Sequence, residues 1–350
     1  MEMKFSGQIK RNLPNKKFAF VKQFAGGPKG GGQIIFMKCY EIISEHFDSI
    51  LVEPIFKKGS GRTFVNRLIL NPLNIVINNL VCRRLLKEGY EIFSDSDCGT
   101  VRYVQPMSEN LRPSFTDILV WRINRLLDII SRFGKNNLHL IIYNSYFTSI
   151  RFSYSRTEAL ERILYPGILK NKPNPRLITA KEDIIITISR ISPEKNLEIL
   201  SEIIKGIGYE HYLIGYCTDF KYLEYLKGKI PESIIIPNAG EEIKADLLGK
   251  AKILLHTAIN EPAGMIYMEA LSYGTVPIAH NSGGTKEIVP QEFLFDENRE
   301  AREKIIKYIK TYNSELGNNL MVKSEKFMIQ SFRENLFSII LDYFSHFDST

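Results

Sequence analysis

Short apolar runs alternate with longer stretches of helical period along most of the chain. In the first half, runs at Phe18–Val21, Ser49–Val52, Tyr90–Phe93, Val101–Val104, Leu138–Tyr143 and Arg162–Tyr165 predict strands. The stretch after Gly32, Asn74–Glu88, Phe115–Phe133 and a short piece at Phe147–Phe152 predict helices between them. The second half is cleaner. Strands are expected at Asp183–Ile188, Tyr212–Ile214, Ser233–Ile236, Lys252–Leu255 and Val276–Ala279. Helices are expected at Leu197–Ile207, Phe220–Lys227, Glu242–Lys250, Met265–Tyr273, Thr285–Ile288, Glu300–Tyr312 and Ser324–Phe344. Continuously apolar runs such as DIIITI and KILLH are what strands buried on both faces require. The alternation therefore predicts an α/β chain with parallel, doubly wound sheets.

The pattern breaks at PGILKNKPNPRLITA, from Pro166 to Ala180, where three prolines and little periodicity read as an interdomain linker. The 350 residues also exceed one ordinary core, so two domains of roughly 150 to 190 residues are expected. In open α/β sheets ligands bind beyond the carboxyl ends of the strands. Two such domains facing one another form a cleft suited to a bipartite ligand.

Composition adds exclusions. With 44% hydrophobic and 24% charged residues the chain has material for two cores, and disorder is not expected. No run of about 18 apolar residues exists to span a membrane. The first residues lack the apolar core of a signal peptide. The four cysteines, Cys39, Cys82, Cys98 and Cys217, form no C-x-x-C and read as buried thiols in a reducing compartment. A cytoplasmic protein is the expectation. The net charge of +7 is uneven: before residue 31, Lys4, Lys10, Arg11, Lys16, Lys17, Lys22 and Lys29 face only Glu2. Such a field suits phosphates on a nucleotide, a lipid carrier or an anionic membrane, or it is a solvated basic surface. No zinc-finger, helix-turn-helix or RNA-recognition pattern supports nucleic acid as the partner.

Three constellations carry candidate chemistry. Gly26, Gly27, Gly30, Gly31 and Gly32 follow a strand and precede a helix, so backbone can approach a ligand there and free amides can meet an anion. The stretch lacks the G-K-[ST] of a Walker loop. In SRISPEKN, Ser189 and Arg190 lie just past an apolar strand and Lys195 is expected at a helix opening, which brings two cations to one strand end. In the third, Glu261 follows a strand and Glu269 interrupts the apolar stripe of the next helix, as a carboxylate with a defined partner would. Ser282–Gly283–Gly284 makes a further glycine turn before a helix.

Glu261–Pro262–Ala263–Gly264 with Glu269–Ala270, Gly274–Thr275–Val276–Pro277 and Ser282–Gly283–Gly284 resembles the E-x7-E signature of the retaining GT-B glycosyltransferases of family 4. Ser189–Arg190 with Pro193–Glu194–Lys195–Asn196 is similar to that family's diphosphate-binding segment. The likeness is near complete over residues 183–289 and looser before them. More narrowly, Gly30–Gly32, Tyr143–Asn144–Ser145 with Phe147–Thr148, and Tyr165–Pro166 resemble the mannosyltransferases that extend lipid-linked oligosaccharides. The resemblance implies two Rossmann-like domains facing across a cleft. Residues 1–170 would form the acceptor-side domain and 171–325 the nucleotide-sugar domain, with the helix of 326–350 packing back on the first.

The resemblance further implies transfer of a hexose, mannose being one candidate, from a UDP- or GDP-sugar, with retention at the anomeric carbon. The acceptor would be lipid-linked or another glycan, at the cytoplasmic face of a membrane. Arg190, Lys195 and Glu261 take catalytic roles. Gly31, Gly32, Ser189, Gly264, Met265, Ile266 and Glu269 bind the donor, with Glu269 on its ribose. Gln105, Asn144 and Ser145 lie on the acceptor or sugar side. Gln105 departs from the histidine usual in relatives and cannot take up a proton as imidazole does. That departure keeps a catalytically silent partner subunit among the readings, beside a nucleotide-sugar epimerase and a hydrolase using Glu261 and Glu269 as paired carboxyls. No metal is required. The six histidines lack ligand spacing, and Asp95 with Asp97 forms either a D-x-D metal motif or a solvated acidic turn.

Overall fold

The computed structural model describes residues 16–22, 31–55, 71–95, 98–104, 115–131, 137–152, 158–168 and 181–347. The apolar runs of the first half form β1 (Lys17–Val21), β2 (Asp48–Val52), β3 (Tyr90–Ser94), β4 (Val101–Val104), β5 (Leu140–Tyr143) and β6 (Leu160–Ile163). Between them lie α1 (Gly31–Ser44), α2 (Asn71–Lys87), α3 (Phe115–Ser131) and α4 (Tyr146–Arg151). The strands pair in parallel in the order β2-β1-β3-β4-β5-β6. Strand side chains alternate between faces, and the two faces carry separate cores. Phe18, Phe20, Phe93, Leu140 and Ile142 pack with Ile35, Phe36, Cys39 and Ile42 of α1, while Ala19, Val21 and Ile92 pack with Cys82 and Leu85 of α2. All four cysteines are buried and unbridged.

The second half holds β7 (Glu182–Ile188), β8 (Glu210–Gly215), β9 (Ser233–Pro237), β10 (Ala251–His256), β11 (Val276–His280) and β12 (Leu294–Phe295). Its helices are α5 (Leu200–Ile203), α6 (Phe220–Lys229), α7 (Glu241–Lys250), α8 (Met265–Ser272), α9 (Thr285–Ile288), α10 (Asn298–Thr311) and α11 (Ser314–Ser324). The order β12-β11-β10-β7-β8-β9, again parallel, is that of a Rossmann sheet. The molecule is thus two Rossmann-like α/β units.

Three expected elements are revised. Leu197–Ile207 is not one helix: 3₁₀ turns at Pro193–Lys195 and Leu197–Ile199 precede the single turn of α5. Asn196, between them, is left-handed at φ 53°, and a right-handed helix cannot run through such a residue. Lys195 therefore rides on a tight turn rather than on the opening of a long helix. The last strand of the first sheet is Leu160–Ile163 rather than Arg162–Tyr165; the Leu164 amide still donates to the Tyr143 carbonyl at 2.8 Å, and Pro166, two residues on, has no N–H with which to go further. Ser324–Phe344 is split. Met328 is extended and bridges Ile168, so α12 (Ile329–Phe347) starts only after it. The helix Ser314–Ser324 went unforeseen, although Asn313 caps it by accepting from the Leu316 amide at 2.8 Å.

α12 follows the second sheet in sequence and packs on the first. Phe332, Leu336, Phe337, Ile340, Tyr343 and Phe344 are buried in the Phe18–Phe93 core. Burial of each large apolar side chain contributes about 1.5–3 kcal/mol, so this apolar face is the main cause of docking. Arg162 Nε donates to Asp342 at 2.8 Å, Arg333 pairs with Glu45, and the Tyr343 hydroxyl donates to Glu91 at 2.8 Å. The return crossing is also joined to the outward one, through Ile168 N–H to the Phe327 carbonyl at 2.7 Å.

Candidate active site

From β7 the chain moves outward through β8 and β9, then returns to lay β10 against the other side of β7. This reversal opens a crevice at the carboxyl ends of β7 and β10, the place where such sheets bind ligands. Ser189, Arg190 and Lys195 leave β7 there, and Thr257 to Gly264 leave β10. The two loops are tied by Thr257 Oγ1, which donates to the Lys195 carbonyl at 2.8 Å.

Across them, Lys195 Nζ reaches Glu261 Oε2 at 2.6 Å, with 15% and 17% of the two side chains exposed. Burial raises the Glu261 carboxyl, but the charges facing it, Lys195 foremost and then Arg190, outweigh it and hold the group below its usual range. Glu261 is therefore a carboxylate, and the shift is opposite to that of a hydrolase's general acid. Arg190 Nη1 donates to the buried Glu194 at 3.1 Å. Ser189 Oγ donates to the Arg190 carbonyl at 3.2 Å.

The Glu261 backbone is set by the turn after β11. The Gly284 amide donates to the Glu261 carbonyl at 2.9 Å, and the Asn260 amide donates to Ser282 Oγ at 2.9 Å. A Cβ on Gly284 would collide with the Pro262 carbonyl oxygen, and Gly283 is left-handed at φ 62° with its Cα face against Asn260. Only glycines allow these two loops to press together.

Gly264 is buried at the cap of α8, with Met265 and Ile266 half-buried beyond it. Met265 packs on the core of the first domain and Ile266 on that of the second. Glu269 lies one to two turns on, with its carboxylate 2.6 Å from Lys244 Nζ of α7. Beneath the loop, Thr285 Oγ1 donates to the Tyr267 hydroxyl oxygen at 3.3 Å, and that hydroxyl lies 2.9 Å from His256 Nδ1. The Tyr267 proton then points at His256, which is neutral; burial lowers the imidazole to about 4.

On the facing domain, Gly31 and Gly32 open α1, the helix following the strand at that sheet's own reversal. Asn144 and Ser145 follow β5 and are buried. Ser145 Oγ caps α4 by accepting from the Thr148 amide at 3.1 Å, and Thr148 Oγ1 donates to Asn144 Oδ1 at 2.6 Å. Asn144 Nδ2 is buried with no protein partner. Gly26, Gly27, Gly30, Gln105 and Asp97 lie outside the described residues, and Asp95 is exposed. Among the described residues no cluster of three or more His, Cys, Asp or Glu side chains could hold a metal ion.

Arg190, Lys195 and Glu261 are thus brought together, with Glu269 on the adjoining helix. Lys244, the His256–Tyr267 pair and Glu287 went unread in the sequence. Lys244 carries no local sequence signal, since its partner Glu269 is 25 residues away and only the fold aims the two at each other.

Residues 170–324 match the family model described as glycosyl transferases group 1. The matched stretch contains Ser189, Arg190, Lys195, Lys244, Glu261 and Glu269. A glycogen synthase of Fusobacterium nucleatum is 25% identical over 43% of this chain and 41% of its own length. A second, from Clostridium kluyveri, is 25% identical over 44% of this chain and 34% of its own. The matches span less than half the length of these curated relatives. Among solved structures, Anabaena HepE in complex with UDP and glucose superimposes with a TM-score of 0.66 at 16% identity, covering 94% of this chain and all of that one. Sucrose-phosphate synthase of Thermosynechococcus elongatus gives 0.67 at 14% identity, covering 95% and 100%.

Two buried histidines make this domain acid-sensitive. His211 lies between Thr187 and Ser233, and burial lowers it from 6.5 to about 3; His256 falls from 6.5 to about 4. Between those values the unfolded chain binds protons that the folded one refuses, so stability is lost as pH falls from 6.5. For His256 the full loss is on the order of 3 kcal/mol. Urea-unfolding midpoints should drop between pH 7 and pH 5, and the slope should shrink in His211→Gln. An identical slope in that variant would contradict the assignment.

Proposed function

We propose that the chain transfers a hexose from a nucleoside-diphosphate sugar to an acceptor with retention of anomeric configuration. The observation that carries this reading is the meeting of Arg190, Lys195 and Glu261 at the β7/β10 crevice of the matched domain. As the glycosidic bond to the diphosphate breaks, charge collects on its β-phosphate. Lys195 and Arg190 would stabilise that charge from one side and the amides of Gly31 and Gly32 from the other; donors fixed in advance are usually the largest catalytic contribution. Glu261 would bind hydroxyls of the donor sugar and Glu269 the ribose, with Ser189, Gly264, Met265 and Ile266 lining the donor. On front-face attack the departing phosphate receives the acceptor proton, so Gln105 in place of a histidine is tolerated and no metal is needed. Asn144, with its unpaired buried Nδ2, and Ser145 would face the acceptor.

UDP, which HepE's structure contains, is the first donor fragment to test. Lys195→Ala and Arg190→Ala should each weaken nucleoside-diphosphate binding by about 1.5–3 kcal/mol, since each removes a charge-assisted hydrogen bond. Glu261→Gln should fold normally and lose transfer rate. Calorimetric affinities unchanged in both cation variants would overturn the phosphate assignment. Full transfer by Glu261→Gln would overturn the sugar role.

For the acceptor we propose a lipid-linked glycan met at an anionic membrane surface. Among the described residues no helix is long and apolar enough to cross a membrane. α3, however, exposes Ile123, Leu126 and Ile130 at helical spacing beside exposed Arg122 and Arg125. α2 packs against it, with Asn79 Nδ2 donating to Ser131 Oγ at 2.6 Å, and adds exposed Leu73 and Leu80. An apolar stripe rimmed by cations suits the headgroup region. Binding to vesicles should rise with their anionic lipid content, fall with salt, and drop in Leu126→Glu with Ile130→Glu. A protein that ignores anionic vesicles at low salt and glycosylates a soluble acceptor would contradict the lipid reading and leave the transferase reading standing.

A further inference from the structure

Three hydrogen-bond donors of the first domain converge on one carboxylate of the second. The Tyr146 amide donates to Glu287 Oε2 at 2.8 Å and the Phe147 amide to Glu287 Oε1 at 2.6 Å. The Tyr165 hydroxyl donates to Glu287 Oε2 at 2.6 Å. Glu287 belongs to α9, three residues beyond Gly284, whose amide holds the Glu261 carbonyl. Tyr146 and Phe147 directly follow Asn144 and Ser145, and Tyr165 precedes the crossing to the second domain. The carboxylate thus joins the strand-end turn of β5 to the strand-end turn of β11. Burial, reinforced by the carboxylate, raises the Tyr165 hydroxyl above its ordinary value, so it remains a donor throughout the neutral range.

We propose that Glu287 is a positioning residue that fixes the two domains in the orientation needed for transfer, by clamping the β5–α4 turn onto the turn that shapes the Glu261 loop. The geometry supplies the reason. A carboxylate can receive both amides, one on each oxygen, and still accept the tyrosine hydroxyl on a second lone pair. Glutamine presents one acceptor oxygen and an NH₂ that would face an N–H donor, so it cannot reproduce the set. Aspartate keeps the charge but is one methylene short. Every partner of the clamp lies on the first domain, while Arg190, Lys195 and Glu261 all lie on the second. The clamp therefore affects how the domains meet without touching the diphosphate-binding cations.

This inference rests on the transferase reading for its catalytic consequence, and its structural core is tested without that reading. Native-state hydrogen exchange should show the Tyr146 and Phe147 amides protected in the parent, and at least tenfold faster in Glu287→Gln. Tyr165→Phe should give a smaller acceleration. UDP affinity should stay within twofold in both variants, while the transfer rate at saturating donor falls at least tenfold in Glu287→Gln and by a few-fold in Tyr165→Phe. Glu287→Asp should recover part of the rate. Unchanged amide exchange in Glu287→Gln would overturn the clamp. Faster exchange with an undiminished rate at saturating donor would overturn its positioning role, and so would a loss of UDP affinity that accounts for the fall in rate. If the parent protein bound no nucleotide and transferred no sugar, the functional reading would fail while the exchange result still decided the clamp.

Discussion

The ion pair between Lys195 and Glu261 is the interaction on which the arrangement of the crevice turns. At 2.6 Å and an effective dielectric constant near 20 its attraction is roughly 6 kcal/mol, and withdrawing the two groups from water costs several kcal/mol for each. The pair is therefore close to balance. It holds Glu261 as a carboxylate inside a crevice where both side chains are largely buried, and it does so without a deep energetic well. Lys244 and Glu269 repeat the device one helix further on, at 2.6 Å. A nucleoside-diphosphate sugar carries the complement of both: phosphates for the lysine and hydroxyls for the carboxylates. Its entry would exchange partners rather than strip charges bare.

The surrounding backbone has little freedom to place Glu261 elsewhere. The Gly283–Gly284 turn presses on Asn260 to Pro262 at distances that exclude a side chain, and Gly284 grips the Glu261 carbonyl. The same turn continues into α9, whose Glu287 reaches the other domain. A single stretch of chain, from Asn260 to Glu287, thus shapes the Lys195–Glu261 crevice and meets the opposite domain. α12 closes the construction from behind. Its apolar face belongs to the first core, and Ile168 with Met328 pairs the outward and returning crossings.

Much of this was legible in the sequence. Parallel strands buried on both faces announce themselves as unbroken apolar runs, and the loops after Ile188 and His256 could be placed at strand ends from those runs alone. Arg190, Lys195 and Glu261 stood out because charge directly beyond an apolar strand needs a reason. Helix continuity was less legible. Asn196 separates the Lys195 turn from the helical turns after it by adopting a left-handed conformation that many asparagines do not adopt, and Met328 stops a helix because a distant residue, Ile168, demands an extended partner. Long-range polar pairs were not legible at all. Lys244 and Glu269 are 25 positions apart, and Glu287 and Tyr146 are 141 apart, so only the assembled sheets bring them together.

One titration addresses whether a diphosphate takes Lys195 from Glu261. Glu261 competes with a diphosphate for Lys195, whereas its own ligand, the sugar, is absent from a free nucleoside diphosphate. Calorimetry of UDP with the parent protein and with Glu261→Gln should show that the parent binds and that the variant binds severalfold more tightly. Failure of the parent to bind UDP, GDP or ADP, or weaker binding of the nucleotide by Glu261→Gln, would contradict that competition.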